Sequence, residues 1–450
     1  MNKHFVIIGG DAAGMSAASK ARRTNPDLII DVFEKGNWAS YGACGLPYYL
    51  KGDIKELRDL IAKTPEEFMQ KNIHLHLKHE VTRIHPEGKY VIIKNHSGKI
   101  KVSFDSLLIS TGARAGRPNI EGIDSLGVFT LHDMDSAREI QNYLKEYSPK
   151  SAVVLGGGYI GIEMLEALFS RGIEMHLVEL LPHILSPFGI DISRQVEEYL
   201  KQYADLHLEQ SVHSINRLDK GKLSVKLNNG TIVTEMVLVA AGIIPEVSLA
   251  EEAGIQCGLT RAIATDELGR TNFPFIYAAG DCAEVKNMVT GKPDYVPLAL
   301  AANRHGRSIG RTVGGQPTLL APVAGTALLK VFQLEVARTG ITDPEVARKH
   351  KFNPIKVTVD SHSRASYYPA SKPIKISLLA DRGSSRILGA SMVGEEGVSK
   401  RIDIISAALS GSYTVDQLES LDLAYAPPFG PAWDPVLTAA RVLNQKLSFL

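Results

Sequence analysis

SAVVLGGGYIGIEMLEALFSRGIEMHLVE, residues 151–179, decides the fold. SAVVL is a short apolar run that ends in three glycines, YIGIEMLEALFSRG has helical periodicity, and IEMHLVE is a second apolar run. The order predicts strand, tight turn, helix, strand. Gly156-Gly157-Gly158-Tyr159-Ile160-Gly161 is a G-x-G-x-x-G turn. Glycine lets backbone come close to an anionic ligand, and the N–H groups at the helix start then face a pyrophosphate. Glu179 closes the second strand, where an acid accepts from a free ribose 2′-hydroxyl and repels a 2′-phosphate. Leu180, Leu181, Pro182 and His183 follow without an arginine, so NADH is expected in preference to NADPH.

Working outward, the same pattern stands at the N-terminus, about 145 residues earlier. HFVIIG (4–9) is followed by Gly9-Gly10-Asp11-Ala12-Ala13-Gly14, an alanine-rich amphipathic stretch to Arg23, and the run Leu28–Phe33 ending in Glu34. Asp11 replaces the middle glycine and puts an anion near an anionic ligand. Further runs at 107–112 (LLISTG), 236–242 (MVLVAAG) and 275–281 (FIYAAGD) also end in glycine, as strands do when they deliver backbone to a ligand. The internal repeat implies an α/β protein with two Rossmann-like dinucleotide-binding domains, one inserted in the other. Two such sites in one chain suit a tightly held flavin and an exchangeable nicotinamide. Thr111-Gly112 and Gly280-Asp281 fit the flavin side, with the Asp281 carboxylate placed to accept from a ribityl hydroxyl. From about residue 325 the alternating runs TALLKVF, IKVTVD and IKISLLA predict antiparallel strands, followed by a helix at Val398–Ser410. The tail AYAPPFGPAWDP (424–435) is too apolar for a free linker and is expected to dock.

Composition narrows the function. A chain of 450 residues suggests about three domains. Net charge is +1, which gives no global field for nucleic acid or an anionic membrane. No targeting segment and no apolar run near membrane-spanning length is found, so reducing cytoplasm is expected. The three cysteines, Cys44, Cys257 and Cys282, form neither a disulfide framework nor a zinc pattern, and no metal is expected. Cys44 lies in SYGACGLPYYLKG (40–52), between small residues that leave its sulfur accessible. A helix beginning nearby would favour the reactive thiolate. A packed structural cysteine fits these glycines poorly, whereas Cys257 and Cys282 are assigned to structure.

These stretches, with AAGIIP (240–245) and TNFPFIYAAGDCAEV (271–285), resemble the pyridine nucleotide-disulfide oxidoreductases over nearly the whole chain. The cysteine segment and LAYAPPFGPAWDPVLTAARV (423–442) resemble their single-cysteine branch. That branch holds coenzyme A-disulfide reductases, polysulfide or persulfide reductases, and NADH oxidases and peroxidases. The resemblance implies FAD, an α+β C-terminal dimerisation domain, and a homodimer with a shared active site. The expected domains are 1–115 with 248–324 for FAD, 116–247 for NAD(P)H, and 325–450 for dimerisation.

The resemblance also implies residue roles. Cys44 takes the place of the redox cysteine, and Tyr49 stands where two-cysteine relatives carry the second, which excludes an internal dithiol. Tyr425 matches a tyrosine that reaches the partner subunit's cysteine, and Tyr367 its companion, with Tyr368 as a rival. Tyr159 would gate the nicotinamide pocket. Lys35, Val81, Pro297 and Ala299 join Gly9, Gly10, Ala12, Ala13, Gly14 and Glu34 around FAD; Ile160 and Gly242 join the second turn around NAD(P)H. Ser40 and Asn303, with the cations Arg22, Lys71 and Arg307, are the expected contacts of a coenzyme A substrate or cofactor. Ala12 stands where peroxidases and oxidases carry a histidine, which favours a thiol-disulfide substrate over peroxide. Ala43 stands where many coenzyme A-disulfide reductases carry asparagine, which leaves the particular thiol open. An NADH oxidase and a flavin-based redox sensor with a protein partner remain the alternatives. The chain ends soon after the tail, without a rhodanese-like extension, so any sulfur-transfer partner is expected to be separate.

Overall fold

A first parallel sheet is assembled from opposite ends of the first 280 residues. Across it run Ile276–Ala278, Ser106–Ile109, His4–Ile8, Ile29–Glu34 and His74–Leu77. Its central strand is buried on both faces, with Phe5, Val6 and Ile7 fully enclosed, as a covered parallel sheet requires. The computed structural model describes residues 2–448; Met1, Phe449 and Leu450, at the outer limits of the expected domains, lie outside the described residues.

A second parallel sheet is made wholly of strands from inside that interval: Asp205–His207, Glu174–Val178, Ser151–Leu155, Met236–Val239 and Val128–Thr130. An antiparallel ribbon, Ala113–Ala115 with Ile243–Pro245, carries the chain out of the first unit and back. The protein is thus two Rossmann-type units, one inserted in the other. An α+β unit follows. Its antiparallel sheet runs Ala327–Val331, Leu334–Gly340, Ile387–Gly394, Pro373–Asp381 and Pro354–His362, under helices Val398–Ser410 and Pro435–Ser448.

Helix Ala12–Thr24 lies along helix Ala299–Val313 at very short range. Gly306 and Gly310 make this possible, because a Cβ at either would run into the backbone of Ala13 or Ala17. Helix Ala12–Thr24 is thereby locked against Ala299–Val313 along its N-terminal half.

Several features were not announced by the sequence. Three-stranded ribbons at 80–103 and 212–234 extend the two parallel units. Ile387–Gly394 is buried at every position and shows no alternation. Helices Ala299–Val313 and Pro435–Ser448 also went unpredicted. Among the described residues no helix is long and apolar enough to cross a membrane.

Candidate active site

Each glycine turn is built the same way. Gly9 has φ +99° and Gly156 φ +108°, values that favour glycine. One turn into each helix a second glycine is required: a Cβ at Gly14 would strike the Gly9 carbonyl oxygen, and one at Gly161 the Gly156 carbonyl. Each strand-end acid reaches back to its turn. Gly10 N–H donates to Glu34 Oε2 (2.9 Å) and Gly36 N–H to Oε1 (2.7 Å). Gly157 N–H donates to Glu179 Oε2 (2.6 Å) and Leu181 N–H to Oε1 (2.8 Å). The acids are thus fixed beside the turns, at the edge where a ribose would lie.

The first turn fits FAD on its own chemistry. Asp11 precedes helix Ala12–Thr24, and burial, with Glu34 and Asp281 nearby, pushes its carboxyl up to about 6. Burial also pushes Asp281 up, and its carboxylate makes no hydrogen bond to protein among the described residues, leaving it free for a ligand hydroxyl. Gly280 has φ +84° and sits against Ala13. Thr111 Oγ1 donates to Glu246 O (2.6 Å), and Glu246 N–H donates to Gly112 O (2.9 Å), so this strand end is tied to the return crossing. Lys35 is exposed beside Glu34, Val81 is buried in the adjoining ribbon, Pro297 is half-buried, and Ala299 opens its helix exposed.

In the second turn Tyr159 and Ile160 start the helix, and the Tyr159 ring tilts against Phe188 at 5.4 Å. Gly242, φ +88°, accepts from Gly116 N–H (2.7 Å) at the crossing.

Cys44 lies in a 3-10 turn, Ala43–Gly45, that runs into helix Leu46–Lys51. The segment is strapped to the first glycine turn: Ser40 N–H donates to Gly10 O (2.9 Å) and Tyr41 N–H to Asp11 Oδ1 (3.3 Å). Ser40 itself takes φ +51°. Cys44 is exposed, Cys257 is half-buried, and Cys282 is buried with its thiol donating to Ile109 O and Ala279 O. The expectation that a helix start would favour the Cys44 thiolate is corrected. Although the residue keeps exposed surface, the groups packed around its sulfur strip enough water to push the thiol up, and the carboxylates of Glu163 and Asp281 add to the effect. A six-residue helix beginning two positions on does not outweigh them.

Two acids of helix Tyr159–Phe169 were missed in the sequence. Glu163 lies near enough to Cys44 for its charge to act on the thiol, has no side-chain hydrogen bond to protein among the described residues, and burial, then Glu166, push it up to about 7. Glu166, one turn on, is 5% exposed. It accepts from Lys51 Nζ (3.1 Å), from Lys330 Nζ, and from Phe332 N–H (2.6 Å). One carboxylate thus joins the helix behind Cys44, the second Rossmann unit and the hairpin of the C-terminal unit. The signal was present: two acids three apart in a helix otherwise apolar enough to be buried, YIGIEMLEALF.

The expected substrate contacts lie on or beside helix Ala12–Thr24. Arg22 donates to Asn72 O (2.6 Å) and to Pro26 O, which occupies its guanidinium with backbone. Lys71 is exposed beside that contact. Asn303 accepts from Ser16 Oγ (2.5 Å), and Arg307 is exposed on the same helix. Tyr367 and Tyr425 do come together, hydroxyl to hydroxyl at 3.2 Å, and are 73% and 50% exposed. Tyr367, not Tyr368, makes this contact.

Residues 3–306 match the family model for pyridine nucleotide-disulphide oxidoreductases, and residues 326–436 match that family's dimerisation domain. A Pyrococcus horikoshii NAD(P)H coenzyme A polysulfide/persulfide reductase is 36% identical over 99% of both chains. A Methanocaldococcus jannaschii NADH oxidase is 33% identical over 98% of this chain and 99% of its own. The solved NAD-dependent persulfide reductase of A. fulgidus superposes with a TM-score of 0.96 at 37% identity, over 99% of this chain and 84% of that one. With two dinucleotide cradles and this match, the chain is an NAD(P)H-dependent flavoprotein that belongs to the pyridine nucleotide-disulphide oxidoreductase family.

Proposed function

We propose that this enzyme reduces the sulfur–sulfur bond of a coenzyme A disulfide, persulfide or polysulfide through Cys44. The observation that carries the reading is the placement of one exposed cysteine on a segment strapped to the first glycine turn, with no second cysteine beside it. Names of relatives act in support. FAD, when bound, relays an electron pair from nicotinamide to sulfur. The first turn and Asp281 hold that group, and the second turn with Glu179 holds the nicotinamide dinucleotide, NADH before NADPH.

Cys44 carries one half of the substrate as a mixed disulfide. When that bond accepts two electrons, the held thiol leaves and Cys44 is left as thiolate. The thiolate attacks the next disulfide, one half stays on Cys44, and the other leaves as a thiolate that takes a proton. Over a turnover NAD(P)H and one proton reduce one disulfide to two thiols. Tyr425 and Tyr367, contributed by a second copy of the chain, supply protons to leaving thiolates. Support for that copy comes from the dimerisation-domain match and from Tyr367, Tyr425, Phe429 and Trp433, all exposed in one chain. Ser40, Arg22, Lys71, Asn303 and Arg307 are proposed contacts of the thiol's charged or polar body. Domain limits near 115, 247 and 324 are proposed with this scheme.

Mass spectrometry of the purified protein should find a small thiol on Cys44, and Cys44→Ser should lose disulfide turnover while still reducing ferricyanide with NADH. Full disulfide turnover in that variant refutes the reading. The M. jannaschii relative favours a second reading, an NADH oxidase. Under that reading, NADH consumption depends on oxygen and stays low in anaerobic assays with the disulfide.

A further inference from the structure

Tyr367 and Tyr425 stand on two loops far apart in sequence. One, residues 363–372, joins strands Pro354–His362 and Pro373–Asp381; the other, residues 420–434, joins helices Val415–Glu419 and Pro435–Ser448. Both loops converge on Glu396–Arg401, where helix Val398–Ser410 begins.

Arg401 is the centre of this junction and has no exposed surface. Its Nε donates to both Asp434 carboxylate oxygens (3.1 and 2.9 Å), its Nη1 to Gly397 O (2.9 Å) and its Nη2 to Ser363 O (3.1 Å). One guanidinium therefore grips the end of the Tyr425 loop and the start of the Tyr367 loop. Its neighbours repeat the pattern. Lys400 Nζ donates to Phe429 O (2.6 Å) in the Tyr425 loop. Glu396 accepts from Ser363 Oγ (2.5 Å) and, bidentately, from Arg364 (2.8 and 2.6 Å) in the Tyr367 loop.

A buried ion pair is a poor device for stability alone, since packed apolar side chains often serve as well. A planar guanidinium fork does something apolar packing does not: it fixes the direction of several partners at once. Here the partners are the two loops whose hydroxyls meet at 3.2 Å. We infer that Arg401, held by Asp434, is a positioning residue that sets the Tyr367–Tyr425 pair in the register in which it protonates thiolates leaving a second copy's cysteine. The inference rests on the role given to the tyrosines above. Arg401 touches no substrate and acts only through the two loops.

The test is a double-mutant cycle on the flavin-loaded dimer. Arg401→Lys keeps the charge and loses the fork. It should lower kcat for disulfide reduction roughly 10- to 100-fold, as misplacement of a reacting group does, with KM for NADH and NADH:ferricyanide turnover held within about twofold. Tyr425→Phe should show a similar loss. The combined variant should be no worse than Tyr425→Phe alone, because both changes remove one function. Losses that multiply overturn the inference, and so does a parallel fall in ferricyanide turnover. If Tyr425→Phe and Tyr367→Phe both keep full disulfide turnover, the tyrosine reading itself fails and takes this inference with it. Should Arg401→Lys not assemble, Glu396→Gln loosens only the Tyr367 loop and enters the same cycle with Tyr367→Phe. Additive losses there overturn the inference equally.

Discussion

Replacing Glu166 by glutamine removes one charge from the point where three parts of the chain meet, and the cost follows from what each partner loses. Glutamine keeps an oxygen for Phe332 N–H, so that bond survives. Lys330 has a side chain 47% exposed, and water screens its loss to less than about 1 kcal/mol. Lys51 is 21% exposed and retains Asp53 at 3.1 Å, but loses a charge-assisted bond inside the protein. Such a bond contributes about 1.5–3 kcal/mol. The net expectation for Glu166→Gln is about 2 kcal/mol. Glu166→Ala also strands the Phe332 N–H, which adds about 1–3 kcal/mol. The assay is urea unfolding of the holoenzyme, read by flavin fluorescence on release and by far-UV circular dichroism. With several units the two transitions need not coincide, so the flavin-release midpoint is the quantity compared. The reasoning is refuted if Glu166→Gln matches the parent within about 0.5 kcal/mol, or if it is less stable than Glu166→Ala.

Glu163 and Glu179 give two more expectations. The Glu163 carboxyl sits at about 7 in the folded chain against an ordinary 4.5, so folding holds its proton more tightly than the unfolded chain does. The penalty is absent below about pH 4.5, grows up to about pH 7 and is complete above it, at ~3 kcal/mol before water penetration reduces it. Glu163→Gln should therefore match the parent near pH 4.5 and exceed it in stability at pH 8; urea midpoints that diverge in the acid and converge in the alkali would contradict this. Glu179→Ala should narrow the preference for NADH over NADPH roughly tenfold in kcat/KM, and adding Leu180→Arg should reverse it. An unchanged ratio would remove Glu179 from the ribose site.

The two glycine turns were legible because their chemistry is local. Gly9 and Gly156 are demanded by their positive φ, Gly14 and Gly161 by collision with the carbonyl oxygen five residues back, and Glu34 and Glu179 follow at the length of one helix and one strand. Cys44 was legible because glycines flank it. Its raised pKa was not, because Glu163 comes from another sheet's helix and Asp281 lies far down the chain. Ile387–Gly394 was hidden for a different reason: buried on both faces, it loses the period-two pattern that marks a strand. Nothing in VSKRIDIISAALS or PAWDP marks Arg401 and Asp434 as buried, and only the fold shows them paired in the interior.

The interrupted first sheet also dictates an order of manufacture. Strand Ser106–Ile109 waits for its neighbour Ile276–Ala278, and everything between them must leave the ribosome first. The inserted unit, whose strands all lie between Val128 and Val239, is complete by then and free to close on its own. Its nucleotide clamp is therefore finished before the one that receives the flavin, although the latter's glycines are translated earlier. Truncation between Pro245 and Ile276 would yield a chain that still grips a pyridine nucleotide but has no seat for the prosthetic group.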